Sequence, residues 1–101
     1  MDLAIHLEAY AYEAVTVSNV AVGFTAATIV PSGAAPARCA AITAENASCR
    51  FRIDGANPTA ANGHLLNSGD SLVLWEINNL QRFRAIRTAG VDAMLRITYL
   101  R

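Results

Sequence analysis

Residues 93–100 read Ala93-Met94-Leu95-Arg96-Ile97-Thr98-Tyr99-Leu100. Side chains on an extended strand point alternately to its two faces. Ala93, Leu95, Ile97 and Tyr99 therefore form one apolar face, and Met94, Arg96, Thr98 and Leu100 form the other. A helix would scatter the same residues around its circumference, so the stretch predicts a half-buried β-strand. Working back along the chain, Ser48–Asp54 repeats the pattern, with Cys49, Phe51 and Ile53 opposed to Ser48, Arg50 and Arg52. Residues 2–10 alternate Leu3, Ile5, Leu7 and Ala9 with Asp2, His6, Glu8 and Tyr10, and Val15 and Val17 carry β structure through Ala14–Ser18. Arg38–Thr43 and Arg82–Thr88 read as further strands. Ser71–Ile77 is apolar on both sides, which predicts a central strand or one lying beneath an interface. Val20–Val30 mixes Ala with β-branched residues and reads as a strand.

Breakers separate these runs. Ser18-Asn19, Pro31–Pro36, Asp54–Pro58, Asn67–Asp70, Asn78-Asn79 and Ala89–Asp92 carry turn chemistry, and Ala44–Ala47 reads as the turn of a hairpin. His64–Leu66 is a short apolar insert between two turns. Seven or eight short strands at intervals of roughly 8 to 12 residues predict an all-β fold, an antiparallel β-sandwich of jelly-roll-like type. No run reads as an amphipathic helix, and no internal repeat is seen.

The chain has 101 residues, 53% hydrophobic and 16% charged, with a formal net charge of +0. That is the size of one domain, spanning 1–101, with 1–13 serving as an N-terminal arm or extra strand. No apolar run approaches the roughly 18 residues of a membrane helix, and Asp2 stands where a secretion signal carries positive charge. These features predict a soluble chain without an export signal. Twenty residues are Ala, so the large apolar side chains make only a modest core. All eight basic residues are Arg, which suits planar, partly dehydrated contacts and is equally the product of an Ala- and Arg-rich codon usage. Residues 1–37 carry Asp2, Glu8 and Glu13 with no base, and every Arg lies between 38 and 101. Head-to-tail contact between copies and pairing of the two halves within one chain are both consistent with that asymmetry.

Motifs for chemistry are sparse. Cys39 and Cys49 have no His at metal spacing and, in the absence of an export signal, read as two buried free thiols. His6 and His64 read as surface or hydrogen-bonded structural residues. No Gly-x-Ser-x-Gly elbow, Gly-x-Gly-x-x-Gly loop or Walker Lys is present, so no cofactor is implied. Asp54-Gly55-Ala56-Asn57 is followed by Pro58 and lacks the later ligands of a calcium loop. Asn46-Ala47-Ser48 matches a glycosylation sequon only incidentally. Arg50, Arg52, Arg82, Arg84 and Arg87 suggest a basic face, but alternation sends Phe51 and Phe83 to the other side, which disfavours nucleic acid. A protein interface using these arginines, with Tyr10, Tyr12 or Trp75 as anchors, fits better.

Several stretches share one order of turns and short strands: Ala21–Thr28, Arg50–Gly55 with Asn57–Ala60, Gly63–Leu66, Gly69–Leu72, Phe83–Thr88 and Ala93–Tyr99. In that order, residues 14–101 resemble small proteins encoded among the structural genes of tailed bacteriophages. The resemblance implies a β-sandwich accessory component of the virion, assembled in the host bacterial cytoplasm, with no catalytic motif to carry over. It implies as partners the major capsid protein or other virion proteins and further copies of the chain, and the residues themselves speak for neither nucleic acid nor membrane. Residues 1–13 lie outside the resemblance and read as an arm that adds to a neighbour's sheet edge. The alternative is a tail, neck or fibre module in which Trp75 or the Tyr10/Tyr12 pair stacks on a glycan.

Overall fold

A computed structural model describes residues 7–101. Among these residues, seven strands and two short helices follow one another: β1 (Ala9–Val17), α1 (Ala26–Ile29), β2 (Cys39–Glu45), β3 (Cys49–Arg52), β4 (His64–Leu66), β5 (Ser71–Trp75), α2 (Ile77–Arg82), β6 (Arg84–Arg87) and β7 (Ala93–Leu100). They form two antiparallel sheets, one ordered β1-β7-β2-β5 and the other β4-β3-β6. The all-β sandwich predicted from alternation is the observed architecture.

Strand β7 behaves as its sequence dictates. Ala93, Leu95, Ile97 and Tyr99 are buried while the intervening residues are not. It lies between β1 and β2, and its inner face meets Val15, Val17, Ile42 and Ala44 of its neighbours. Phe51 from β3 and Phe83 face it from the second sheet. Phe24 stacks on Phe83 at 4.4 Å and meets the ring of Tyr99 edge-on at 5.7 Å, while Phe51 lies 5.5 Å from Phe83. Such aromatic pairs add to the stabilisation from burial alone.

The structure departs from several sequence expectations. The strand expected over residues 20–30 is absent: Val22 makes one bridge to Ala85, and Ala26–Ile29 form the helix α1. Adjacent Ala26 and Ala27 favour a helical turn, and Pro31 follows it. The strand expected to reach Ile77 stops at Trp75, because Glu76 adopts φ +79° and turns the chain into α2. Ile77 and Leu80, three apart, put their apolar side chains on one face of that turn, and Leu80 is fully buried. The Asn78-Asn79 turn is therefore part of a helix. Ala44–Ala47 is not a hairpin turn: β2 and β3 belong to different sheets, and Asn46, at φ +77°, makes the corner between them. The His64–Leu66 insert is strand β4, paired with β3. Strand β5 is an edge and not a central strand, with Val73 and Trp75 exposed. The two N-terminal strand readings merge into one β1, and residues 2–6 of the first of them, with His6, lie outside the described residues.

Candidate interaction surface

The pairing registers fix which side chains share the outer face of the four-stranded sheet. One row across all four strands is Tyr12, Thr98, Ala41 and Val73. A second is Ala14, Arg96, Thr43 and Ser71, and a third runs from Leu100 through Cys39 to Trp75. Tyr12, Val73 and Trp75 are 58%, 55% and 48% exposed, far more than an interior-facing residue of the same type. Small residues between them leave a shallow depression of about 310 Å³ lined by Tyr12, Ala41, Val73, Arg96 and Thr98. The charge on this face is held in place. Arg96 bonds Glu45 at 2.8 Å and reaches the Tyr12 hydroxyl at 3.3 Å.

The arginines singled out in the sequence mostly lie on the other sheet. Arg52 faces Arg84 across the β3–β6 pair, and Arg50 faces Ile86, so Arg50, Arg52 and Arg84 share its outer face. Each is committed to the chain itself. Arg50 donates to the carbonyls of Ala60 (3.1 Å) and Gly63 (3.0 Å), and Arg52 grips both carboxylate oxygens of Asp54. That hydrogen-bonded pair holds Asp54 below the usual carboxylate range. Arg84 donates to the carbonyls of Gln81 and Phe83, lying against Gly23, where a Cβ would meet its Nη1 at 2.6 Å. Arg87 pairs with Cys49 in the register, on the opposite side of the sheet, and bonds Asp92 at 2.6 Å. Arg82 is exposed at the end of α2.

The three aromatic anchors also separate. Tyr10 is turned onto its own chain, donating to Thr28 O at 2.8 Å beneath the Arg101 guanidinium. Tyr12 and Trp75 stand on the four-stranded sheet with Val73 and Ala41. Those two were not singled out in the sequence, although the apolar character of both faces of Ser71–Trp75 carried the signal. Trp75 also borders a groove of about 280 Å³ lined by Pro36, Ala37, Arg38, Glu76 and Ile77.

Other groups are arranged for structure. Glu13 accepts from the Tyr99 hydroxyl at 2.6 Å and from Thr25 N–H at 3.1 Å. Burial works to raise the Glu13 carboxyl, but these hydrogen bonds outweigh it and hold it below its ordinary value. Burial, then the hydrogen bond to Glu13, push the Tyr99 hydroxyl well up. Cys39 and Cys49 are buried free thiols, and burial pushes Cys49 up to about 11. Among the described residues no cluster of three His, Cys, Asp or Glu could hold a metal ion. In comparisons with known proteins, the chain matches no family model, no curated protein and no solved structure.

Proposed function

We infer that this chain is a non-enzymatic structural component of a bacteriophage particle, a decoration or cement protein that binds the major capsid protein as a homo-oligomer. The observation that carries the reading is the open outer face of the four-stranded sheet, where Tyr12, Val73 and Trp75 are exposed around small side chains. Exposed aromatic residues on an open face among small side chains are the material of protein interfaces. The resemblance of residues 14–101 to small phage structural proteins supplies the particle as the setting. A domain of 101 residues with 20 Ala gains from burying such a face against a partner.

The test is to mix the purified protein with capsids stripped of accessory proteins. Saturable binding at a stoichiometry matching the lattice is expected, weakened at least about tenfold by Ala41→Glu, which sets a charge in the middle of the exposed face. Absence of capsid binding by the unaltered protein overturns the reading.

A second reading rests on the Trp75 groove, where an exposed indole stands beside Arg38 and Glu76. Aromatic face and polar groups together suit a sugar ring, as in a tail or fibre module. A glycan array should then give a binder that Trp75→Ala loses, and an array without binders disposes of it.

A further inference from the structure

Among the described residues, both edges of the four-stranded sheet present unpaired backbone groups in a defined order. Glu76 N–H donates to Arg38 O at 2.9 Å and Ala44 N–H to Asp70 O at 2.9 Å. Hydrogen-bonded and non-bonded positions alternate along an antiparallel pair. Leu72 and Leu74 therefore turn their backbone groups to β2, and Ser71, Val73 and Trp75 turn theirs outward. At the other edge, Arg101 exchanges backbone bonds with Glu8 at 2.9 and 3.0 Å. By the same alternation Tyr99, Ile97, Leu95 and Ala93 bond to β1, through Ala11, Glu13, Val15 and Val17. Tyr12, Ala14 and Thr16 are left facing outward. Among the described residues, no backbone partner reaches these outward groups, and Trp75 O accepts one bond, from Asn79 Nδ2 at 2.9 Å.

The geometry points to a second copy of this chain as the occupant, its β1 adding to β5 in a head-to-tail contact that continues the sheet. Every pair in the sheet is antiparallel, so β5 runs opposite to β1. A copy shifted along the sheet thus brings its β1 antiparallel to β5, as strand addition requires. In the register that matches the outward groups, Trp75 stands beside Tyr12 of the next copy, Val73 beside Ala14 and Ser71 beside Thr16. All six side chains lie on the outer face, and all six residues are exposed. Aromatic, apolar and hydroxyl pairs of this kind stabilise neighbouring strands.

Charge separates this arrangement from its rival. Pairing β5 with itself about Val73 sets Asp70 opposite Glu76 of the partner, two acids face to face. Pairing β1 with itself about Ala14 sets Tyr12 against Thr16 and leaves every β5 edge bare. None of the six outward residues is charged or a proline, the usual devices that keep an edge strand from pairing. A head-to-tail contact propagates into a ring or an open array. The inference rests on the reading that copies of this chain assemble, and not on the capsid as partner.

Two variants test it, Val73→Lys at the β5 edge and Ala14→Lys at the β1 edge, with circular dichroism and thermal melting to verify that both fold. Light scattering of the unaltered protein should give multiples of 10.7 kDa, and each variant alone should fall to 10.7 kDa. An equimolar mixture restores one intact contact and should give a single species of twice that mass. A monomeric unaltered protein overturns the proposal. So does Ala14→Lys that still dimerises, Val73→Lys that still dimerises, or a mixture that stays monomeric. Should either variant fail to fold, Ser71→Lys and Thr16→Lys replace them with the same expected masses. Capsids are absent from these samples, so failure of capsid binding with the mixing result intact defeats the decoration reading alone.

Discussion

Tyr99 illustrates how one side chain ties the sandwich together. Its ring is fully buried against Phe24, and its hydroxyl donates to Glu13 on the neighbouring strand. The two groups set opposite ends of a pH window. Glu13 titrates below its ordinary 4.5, so the stability it contributes is present above that value and is lost as the pH falls through the lower folded value. Tyr99 titrates above its ordinary 10.0, so its contribution is whole below that value and is lost as the pH rises beyond it. Melting temperature should be flat between these limits, and Tyr99→Phe should blunt the alkaline fall. A steep change near neutrality would contradict this. The Cys49 thiol, buried and pushed up to about 11, should react with a thiol reagent at neutral pH only as fast as the protein opens.

The neighbouring residues of β3 give a graded comparison. Phe51→Ala should cost about 2–5 kcal/mol by removing a core ring. Arg50→Ala should cost about 0.5–1.5 kcal/mol for each carbonyl it releases, and Arg52→Ala should lie within about 0.5 kcal/mol of neutral. Denaturant titrations of the three variants give the ranking. The alternation of this stretch revealed which way the side chains face. It did not reveal that Arg50 reaches across to Ala60 and Gly63, since that contact joins a strand to a loop ten and more residues away.

Among the elements, β7 was fully legible because eight residues alternate without interruption and one side is closed to water. The helices were not. Helix α1 has four residues and α2 six, too few to display a helical period, and each exists because a tertiary contact holds it. Leu80 is that contact for α2: Leu80→Ala should cost about 2–5 kcal/mol, measured by denaturant unfolding. A loss under 1 kcal/mol would show that the helix is held by something else. The passage at Ala44–Ala47 was illegible for a different reason. A turn between two alternating strands looks the same whether the second strand pairs with the first or crosses to the other sheet. Likewise, apolar residues on both faces of Ser71–Trp75 suit a strand buried on both sides and an edge strand awaiting a partner. The candidate surface was legible in Tyr12 and Trp75 and hidden in Ala41, which becomes part of it only through the register of β2 with its two neighbours.

For the molecule as a whole, the sequence left open whether its acidic N-terminal third pairs with its basic remainder. Among the described residues the three ion pairs, Arg52–Asp54, Arg87–Asp92 and Arg96–Glu45, all lie within residues 38–101. Glu13 spends its carboxylate on a hydroxyl and a backbone amide. Because these ion pairs are partly exposed, raising sodium chloride from 0.05 to about 0.5 M should leave the unfolding midpoint of the monomer nearly unchanged. A large fall would mean that charges matter more to the fold than their exposure indicates.

The central position of β7 reaches beyond the finished molecule into its synthesis. Strand β1 leaves the ribosome some eighty residues ahead of its hydrogen-bonding partner β7. Until Leu100 has emerged, β1 and β2 have no strand between them, and two apolar faces wait in an unfinished chain. Completing the four-stranded sheet therefore waits on a contact between segments far apart in the chain, which makes folding slow for a domain of this size and leaves nascent chains prone to associate. Stalled chains ending before Ala93 should be digested rapidly by protease, whereas chains stalled after β7 has cleared the ribosome should resist.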